Sequence, residues 1–204
     1  MSHPFTEVVA IVEGSLDEAV VLRLFQGTNL EVIPRPQRGK SNLLRRTEDY
    51  LDAARTRAQT LWFILLDLDQ DPCAPLLLSQ HNLLETPPNL LIRVAVRSVE
   101  AWLIADANAL ARFLRVDKND IPPEPERLPD PKTTLINLAR KSRNPKIRKG
   151  IPPLKGSLRR VGPAYNSYVE EFILERWEPW RAAGRAPSLK KALRAIEVAL
   201  GGAS

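Results

Sequence analysis

The side chains with the greatest capacity for chemistry are carboxylates that follow apolar runs. Two of them follow the run 8–12, three follow the run 61–66, and one follows the run 90–96. The set consists of Glu13, Asp17, Asp67, Asp69, Asp71 and Glu100. Carboxylates that meet at one place repel each other unless a cation is present, and Mg²⁺ prefers such oxygen ligands. For residues 67–71, a polar turn with capping aspartates is the alternative interpretation.

Apolar runs that alternate with helical patterns determine whether these carboxylates can meet. The predicted strands are 8–12, 30–33, 61–66 and 90–96, and the predicted helices between and after them are 16–25, 42–58, 76–84 and 100–113. This order requires crossover connections and favours an α/β fold with a Rossmann-like parallel sheet of about four strands and helices on both faces. The carboxyl ends of parallel strands lie along one edge, where ligands bind. The sequence therefore predicts a metal site there.

The chain changes character after residue 115. A proline-rich connector covers 121–131, and a helix over 133–141 leads into a basic loop over 142–160. Two further helices are predicted over 164–177 and 189–200. We predict an α/β unit over 1–115, with residues 116–204 forming a C-terminal helical appendage packed on it.

Composition excludes several classes of protein. The 204 residues are 44% hydrophobic and 26% charged, as in ordinary globular proteins. The single cysteine, Cys73, excludes an internal disulfide, and it cannot build a Cys/His zinc cage with only His3 and His81. No apolar run is long enough to span a membrane, and the first residues do not resemble a signal peptide. A cytoplasmic protein is predicted.

Basic residues are concentrated in the second half of the chain. Residues 1–100 carry a net charge of −3, residues 101–204 carry +9, and the segment 132–160 contains no acidic residue. This asymmetry favours an enzyme that holds cations in one place and a polyanion in another, although a solvated basic loop is an equal alternative. The candidate nucleic-acid contacts are Arg35, Arg38, Lys40, Lys132, Lys146, Arg148, Lys149, Lys155, Arg159 and Arg160.

The sequence Gly39-Lys40-Ser41 has the ending of a phosphate-binding P-loop but lacks the rest of that motif. Pro34 stands where the first glycine is required, and Pro36 removes a backbone N–H from the loop. The chain therefore has no ATP-binding motif of its own.

Two of the acidic motifs carry a family resemblance. Glu13-Gly14-Ser15-Leu16-Asp17 after one strand and Asp67-Leu68-Asp69 after another resemble the TOPRIM domain of topoisomerases, DnaG-type primases and overcoming-lysogenization-defect (OLD) nucleases. The segments 97–106, 162–165 and 187–189 extend the similarity to a family of small bacterial TOPRIM-like proteins, domain of unknown function 4276.

The resemblance implies a role for each acidic residue. Glu13 would be a metal ligand or general acid/base, and Asp67 and Asp69 would be the metal-binding pair. Asp17 and Glu100 would complete a site for Mg²⁺ or Mn²⁺, with one or two ions left open. It also implies a lysine that assists catalysis and a separate AAA- or ABC-type ATPase partner in anti-phage defence.

We therefore predict a Mg²⁺-dependent phosphodiesterase or nuclease with Glu13, Asp67, Asp69 and Glu100 as catalytic residues. A non-catalytic interaction subunit is the first alternative, and metal-dependent nucleotidyl or phosphoryl transfer on a small nucleotide is the second. The choice between DNA and RNA, and assembly into a homo-oligomer, stay open.

Overall fold

The computed structural model describes residues 5–201. Residues 1–4 and 202–204 lie outside this range. His3 and the N-terminal residues that bear on the prediction of no signal peptide are therefore not among the described residues. Within 5–201, no helix has both the length and the apolar character needed to cross a membrane.

A four-stranded parallel sheet forms the centre of the molecule. Its strands are β1 (Glu7–Val12), β2 (Glu31–Pro36), β3 (Thr60–Asp67) and β4 (Leu90–Ala95). The strand order is β2-β1-β3-β4, and every neighbouring pair is parallel. The predicted α/β, Rossmann-like fold with C-terminal helices is therefore confirmed. Because β1 and β3 are central neighbours, their carboxyl ends emerge side by side.

Helices cover both faces of this sheet. In the first part of the chain they are α1 (Ser15–Leu24), α2 (Lys40–Leu44), α3 (Thr47–Thr56), α4 (Ala74–Gln80), α5 (Val99–Ala105) and α6 (Ala107–Leu114). Short 3₁₀ turns at Lys118–Asp120 and Pro125–Arg127 follow. The later helices are α7 (Pro131–Arg140), α8 (Pro145–Gly150), α9 (Tyr165–Glu175), α10 (Pro179–Ala182) and α11 (Pro187–Ala199).

Two of the predicted helices are each divided in two. The segment predicted as helix 42–58 contains α2 and α3, and Thr47 Oγ1 bonds the Leu44 carbonyl at 3.2 Å where they meet. The segment 100–113 contains α5 and α6, because Asp106 accepts a hydrogen bond from the Ala109 N–H and begins a new helix there. Short polar side chains compete with the helix backbone in this way.

Two predicted loops contain regular structure. In the segment 142–160, Asn144 accepts a hydrogen bond from the Lys146 N–H, and Pro145 occupies the first turn of α8. Proline is favourable at that position because it has no N–H to leave unbonded. In the segment 35–41, β2 continues to its last residue at position 36 and α2 begins at Lys40.

Two hydrophobic cores hold the helices against the sheet. One contains α2, α3 and α4. The other contains α1, α5 and the C-terminal helices, and it includes residues from both sides of position 115. Trp102 lies in this second core with no exposed surface, as predicted from its apolar neighbours.

Gly162 allows the backbone that precedes α9 to pack closely on the end of α8. A Cβ atom at this position would lie 2.3 Å from the carbonyl oxygens of both Gly150 and Pro152. The Gly162 N–H also donates to the Ile151 carbonyl at 2.9 Å. This close approach fixes the start of α9, whose first residue is Tyr165.

We predict that Gly162→Ala destabilises the protein by about 1–3 kcal/mol, since the new methyl group must displace backbone atoms. Chemical denaturation would measure the change. Gly184→Ala is the matched control because its Cβ would lie 3.5 Å from its nearest neighbour, an ordinary contact. Equal stability of the two variants would contradict the packing described here.

Candidate metal centre

The neighbouring ends of β1 and β3 bring Glu13 and Asp67 together. Glu13 follows the last residue of β1, and Asp67 is the last residue of β3. The Asp67 backbone N–H donates to Glu13 Oε1 at 3.0 Å. Burial is the main reason that the pKa of Glu13 is raised, although the bond from Asp67 N–H opposes it.

Asp17 joins this pair from the first turn of α1. Gly14 precedes the helix in an extended conformation, and its N–H donates to Asp17 Oδ2 at 2.9 Å. The Asp17 side chain is buried, and burial together with the charges of Glu13 and Glu100 raises its pKa to about 7. Three predicted ligands therefore influence one another electrostatically.

Asp67 contacts the segment that follows β4. Its Oδ1 accepts a hydrogen bond from the Val99 N–H at 2.9 Å, at the start of α5. Burial raises its pKa well above the usual range, and the charges of Asp17, Glu100 and Glu13 add to this effect. The pKa values of these three neighbouring carboxyl groups are thus raised, chiefly because the groups are buried and further because nearby carboxylates repel them.

Glu100 is buried and is the most fully bonded carboxylate of the set. Ser98 Oγ donates to its Oε2 at 2.6 Å, and Tyr165 OH donates to its Oε1 at 3.0 Å. Lys132 Nζ lies 3.2 Å from the same Oε1. Burial opposes the charge on Lys132, but the nearby carboxylates raise its pKa overall. Burial and the charge of Glu100 raise the pKa of Tyr165, which keeps its hydroxyl protonated.

Asp69 and Asp71 lie in a loop that two basic residues hold in place. Asp69 has φ 53° and Arg97 has φ 45°, so both adopt the left-handed conformation. The Asp69 N–H donates to the Arg97 carbonyl at 2.7 Å, and Arg97 Nη1 donates to the carbonyls of Asp69 at 2.8 Å and Asp71 at 3.2 Å. The two carboxylates themselves face Lys40, at 3.3 Å for Asp69 and 2.7 Å for Asp71.

A cavity of about 190 Å³ opens at this edge of the sheet. Its acidic lining is Asp67, Asp69, Glu100 and Asp130, and its basic lining is Arg97, Lys132 and Arg160. Glu13 and Asp17 are not among the residues that line it. The cavity therefore presents carboxylates and cationic side chains to the same small volume.

The donor set fits a hard divalent cation by its chemistry. Glu13, Asp17 and Asp67 each use one carboxylate oxygen to accept a backbone N–H. Glu13 also accepts a backbone hydrogen bond from Lys40. However, within residues 5–201 no group of three His, Cys, Asp or Glu side chains is arranged to hold a metal ion. The ligands are thus near one another without forming a finished cage.

The predicted nucleic-acid contacts are distributed unevenly around this cavity. Lys132 and Arg160 line it, whereas Arg35 lines a separate cavity of about 260 Å³ beside Tyr50 and Trp62. Lys40 is directed to the acidic loop. The others are exposed and do not line the cavity: Arg38, Lys146, Arg148, Lys149, Lys155 and Arg159. Arg148 also donates to the Ser142 carbonyl at 2.7 Å.

Sequence reasoning assigned no role at this site to Arg97, Ser98 or Tyr165, although Ser98 was expected near this edge of the sheet. Each lay within a segment that carried the family resemblance, since 97–106 and 162–165 contain all three. Arg97 and Ser98 also directly precede α5, at the edge where ligands were expected. The position of Tyr165 beside Glu100 spans 65 residues and depends on tertiary packing, so no local pattern revealed it.

Comparison with known proteins gives no independent identification. No protein-family model, curated protein or solved structure matches this chain.

The raised pKa of Asp17 predicts how stability depends on pH without metal. Between about pH 4 and 7 the folded chain keeps a proton on Asp17 that the unfolded chain releases, so the stability due to this group falls as pH rises through that window. Asp17→Asn should therefore be more stable than wild type above pH 7, by on the order of 3 kcal/mol. Denaturation in EDTA from pH 4 to 9 would measure the difference.

Asp52→Asn is the control for this experiment, because Asp52 is exposed and pairs with Arg55 on the surface. It should follow the wild-type curve closely. An Asp17→Asn protein no more stable than wild type at pH 8 would contradict the raised pKa of Asp17.

Proposed function

We propose that this protein is a Mg²⁺- or Mn²⁺-dependent phosphodiesterase that cleaves nucleic acid. The observation that carries the proposal is the convergence of Glu13, Asp17 and Asp67 beside Glu100 and its partner Lys132, at the carboxyl edge of the parallel sheet. Ligands of open parallel sheets bind at this edge. The TOPRIM resemblance of the same residues supports the assignment.

Glu13, Asp17 and Asp67 are the residues that would hold the ion. Each already has one oxygen held by a backbone N–H, so the three side chains are partly ordered before an ion binds. A divalent cation bound here supplies Lewis acidity toward a phosphodiester. Glu13 is also suited to accept a proton during the reaction, because its pKa is raised.

Lys132 and Arg160 are suited to bind the substrate phosphate. Lys132 is about half exposed, so its ammonium group can contact a ligand while it stays 3.2 Å from Glu100. Arg160 lies 3.9 Å from Asp130 at the same cavity and is almost fully exposed. Charge on a phosphate oxygen is stabilised by such donors during phosphoryl transfer.

The wider basic surface would bind the phosphate backbone without reading its sequence. Residues 101–204 carry a net charge of +9, and the exposed basic residues of 146–159 belong to this half. Lysine and arginine contacts to phosphates release counterions, so binding through them weakens steeply as salt rises.

Partner and compartment also belong to the proposal. The family resemblance suggests a separate AAA- or ABC-type ATPase that would control the nuclease in anti-phage defence, in the cytoplasm. The chain's lack of an ATP-binding motif is consistent with energy coupling through another subunit.

A second candidate function is a non-catalytic interaction subunit. The observation that favours it is that, within residues 5–201, no three metal-binding side chains are arranged around one point. In that case the basic half would bind a partner while the acidic cluster would serve folding or regulation.

We predict that the purified protein cleaves labelled DNA or RNA in Mg²⁺ or Mn²⁺ and that EDTA stops the reaction. Asp67→Asn keeps an acceptor for the Val99 N–H but removes the charge, and it should reduce the cleavage rate roughly 100-fold or more. Gel-based time courses with single-stranded and duplex substrates would measure the rates.

Asp52→Asn should retain wild-type cleavage in the same assay, which controls for a surface charge change. Absence of cleavage by the wild type, with or without a candidate ATPase, would favour the interaction subunit. Turnover of free nucleotides but not of polymers would favour nucleotidyl or phosphoryl transfer instead.

A further inference from the structure

Lys40 occupies a cage of oxygen atoms formed by the loop at the end of β3. Its Nζ donates to the carbonyls of Asp67 at 2.6 Å and Leu68 at 3.1 Å. It also donates to the carboxylates of Asp71 at 2.7 Å and Asp69 at 3.3 Å. All four acceptors come from the five consecutive residues 67–71. An ammonium group has three hydrogens, so four acceptors are one more than it needs for one hydrogen bond from each hydrogen.

The cage has the ligand chemistry of a cation site. Two backbone carbonyls and two carboxylates around one point are the oxygen donors that Ca²⁺ and similar hard cations use. The Lys40 side chain is only 17% exposed, so its charge is held largely away from water. Burial alone would lower its pKa, but Asp71 and Asp69 raise it overall and keep the ammonium charged.

The backbone before Lys40 explains how the ammonium reaches this position. Gly39 has φ 110°, in the left-handed region that favours glycine, and its N–H donates to the Glu13 carbonyl at 3.0 Å. Lys40 is the next residue and begins α2. The end of β1 therefore holds the start of α2 opposite the end of β3, with Lys40 between them.

We propose that Lys40 is a tethered cation, which fills a site that a free divalent ion would otherwise occupy. Lys40 acts as a positioning residue, because it holds Asp67 through its carbonyl and binds the carboxylates of Asp69 and Asp71. An external ion is then left with Glu13, Asp17 and Asp67 as its ligands, which form one site. This last consequence rests on the proposed function, whereas the tethered cation itself does not.

We predict that Lys40→Met gains a site for one additional ion per chain relative to wild type. Equilibrium dialysis with Ca²⁺, and electron paramagnetic resonance with Mn²⁺, would count the bound ions at concentrations up to about 1 mM, where weak oxygen sites fill. Thermal unfolding in EDTA should show that the variant is less stable than wild type, and Ca²⁺ should restore more stability to the variant than to wild type.

Two further variants act as controls. Lys40→Arg keeps a positive charge in the cage and should bind no additional ion. Lys141→Met removes an exposed lysine that pairs at 2.6 Å with one carboxylate, that of Asp120, and should also bind no additional ion. Adding Asp69→Asn and Asp71→Asn to Lys40→Met should abolish the gained site.

The number of ions bound by wild type and the increment in Lys40→Met answer different questions. Wild-type protein that binds no ion would overturn the proposed metal centre, yet a gained ion in the variant would still support the tethered cation. A Lys40→Met protein that binds no additional ion overturns the inference. A Lys40→Met protein that stays unfolded in Ca²⁺ also overturns the inference, because a free cation is expected to replace the ammonium group in the cage.

Discussion

Negative charge is concentrated at the carboxyl edge of the sheet, and the surrounding segments are arranged to offset it. Topology brings the charge together, because β1 and β3 are parallel neighbours, Glu13 directly follows β1, and Asp67 ends β3. Carboxylates removed from water near other carboxylates are costly unless donors or cations accompany them. The loops and helices around this edge provide those donors.

Backbone amides provide the first compensation. Each of three carboxylates accepts an N–H from a different segment: Glu13 from β3, Asp17 from the turn before α1, and Asp67 from the start of α5. These bonds also connect the ends of the strands to one another. The same contacts that reduce the electrostatic cost therefore fix the relative positions of the acidic groups.

The sequence predicted the sheet, its parallel direction and the location of the acidic edge, because continuous apolar strands and strand-ending carboxylates are local patterns. It did not predict the ion pair between Asp71 and Lys40, because a lysine that follows the second strand was equally suited to contact a phosphate. It also missed the helix breaks at Thr47 and Asp106. At each position, a hydrogen bond between one side chain and the backbone interrupts a longer helical pattern. Partners of Glu100 come from distant segments, and only the folded chain brings them together.

The bonds from Tyr165 and Lys132 to Glu100 also limit how this protein can be divided or recombined. Both donors come from beyond residue 115, yet they neutralise a buried carboxylate that belongs to the α/β part. An α/β portion without residues 116–204 would lack both donors and the counter-charge of Glu100. A truncation or fusion meant to keep the charge of Glu100 balanced must therefore retain both parts in one chain.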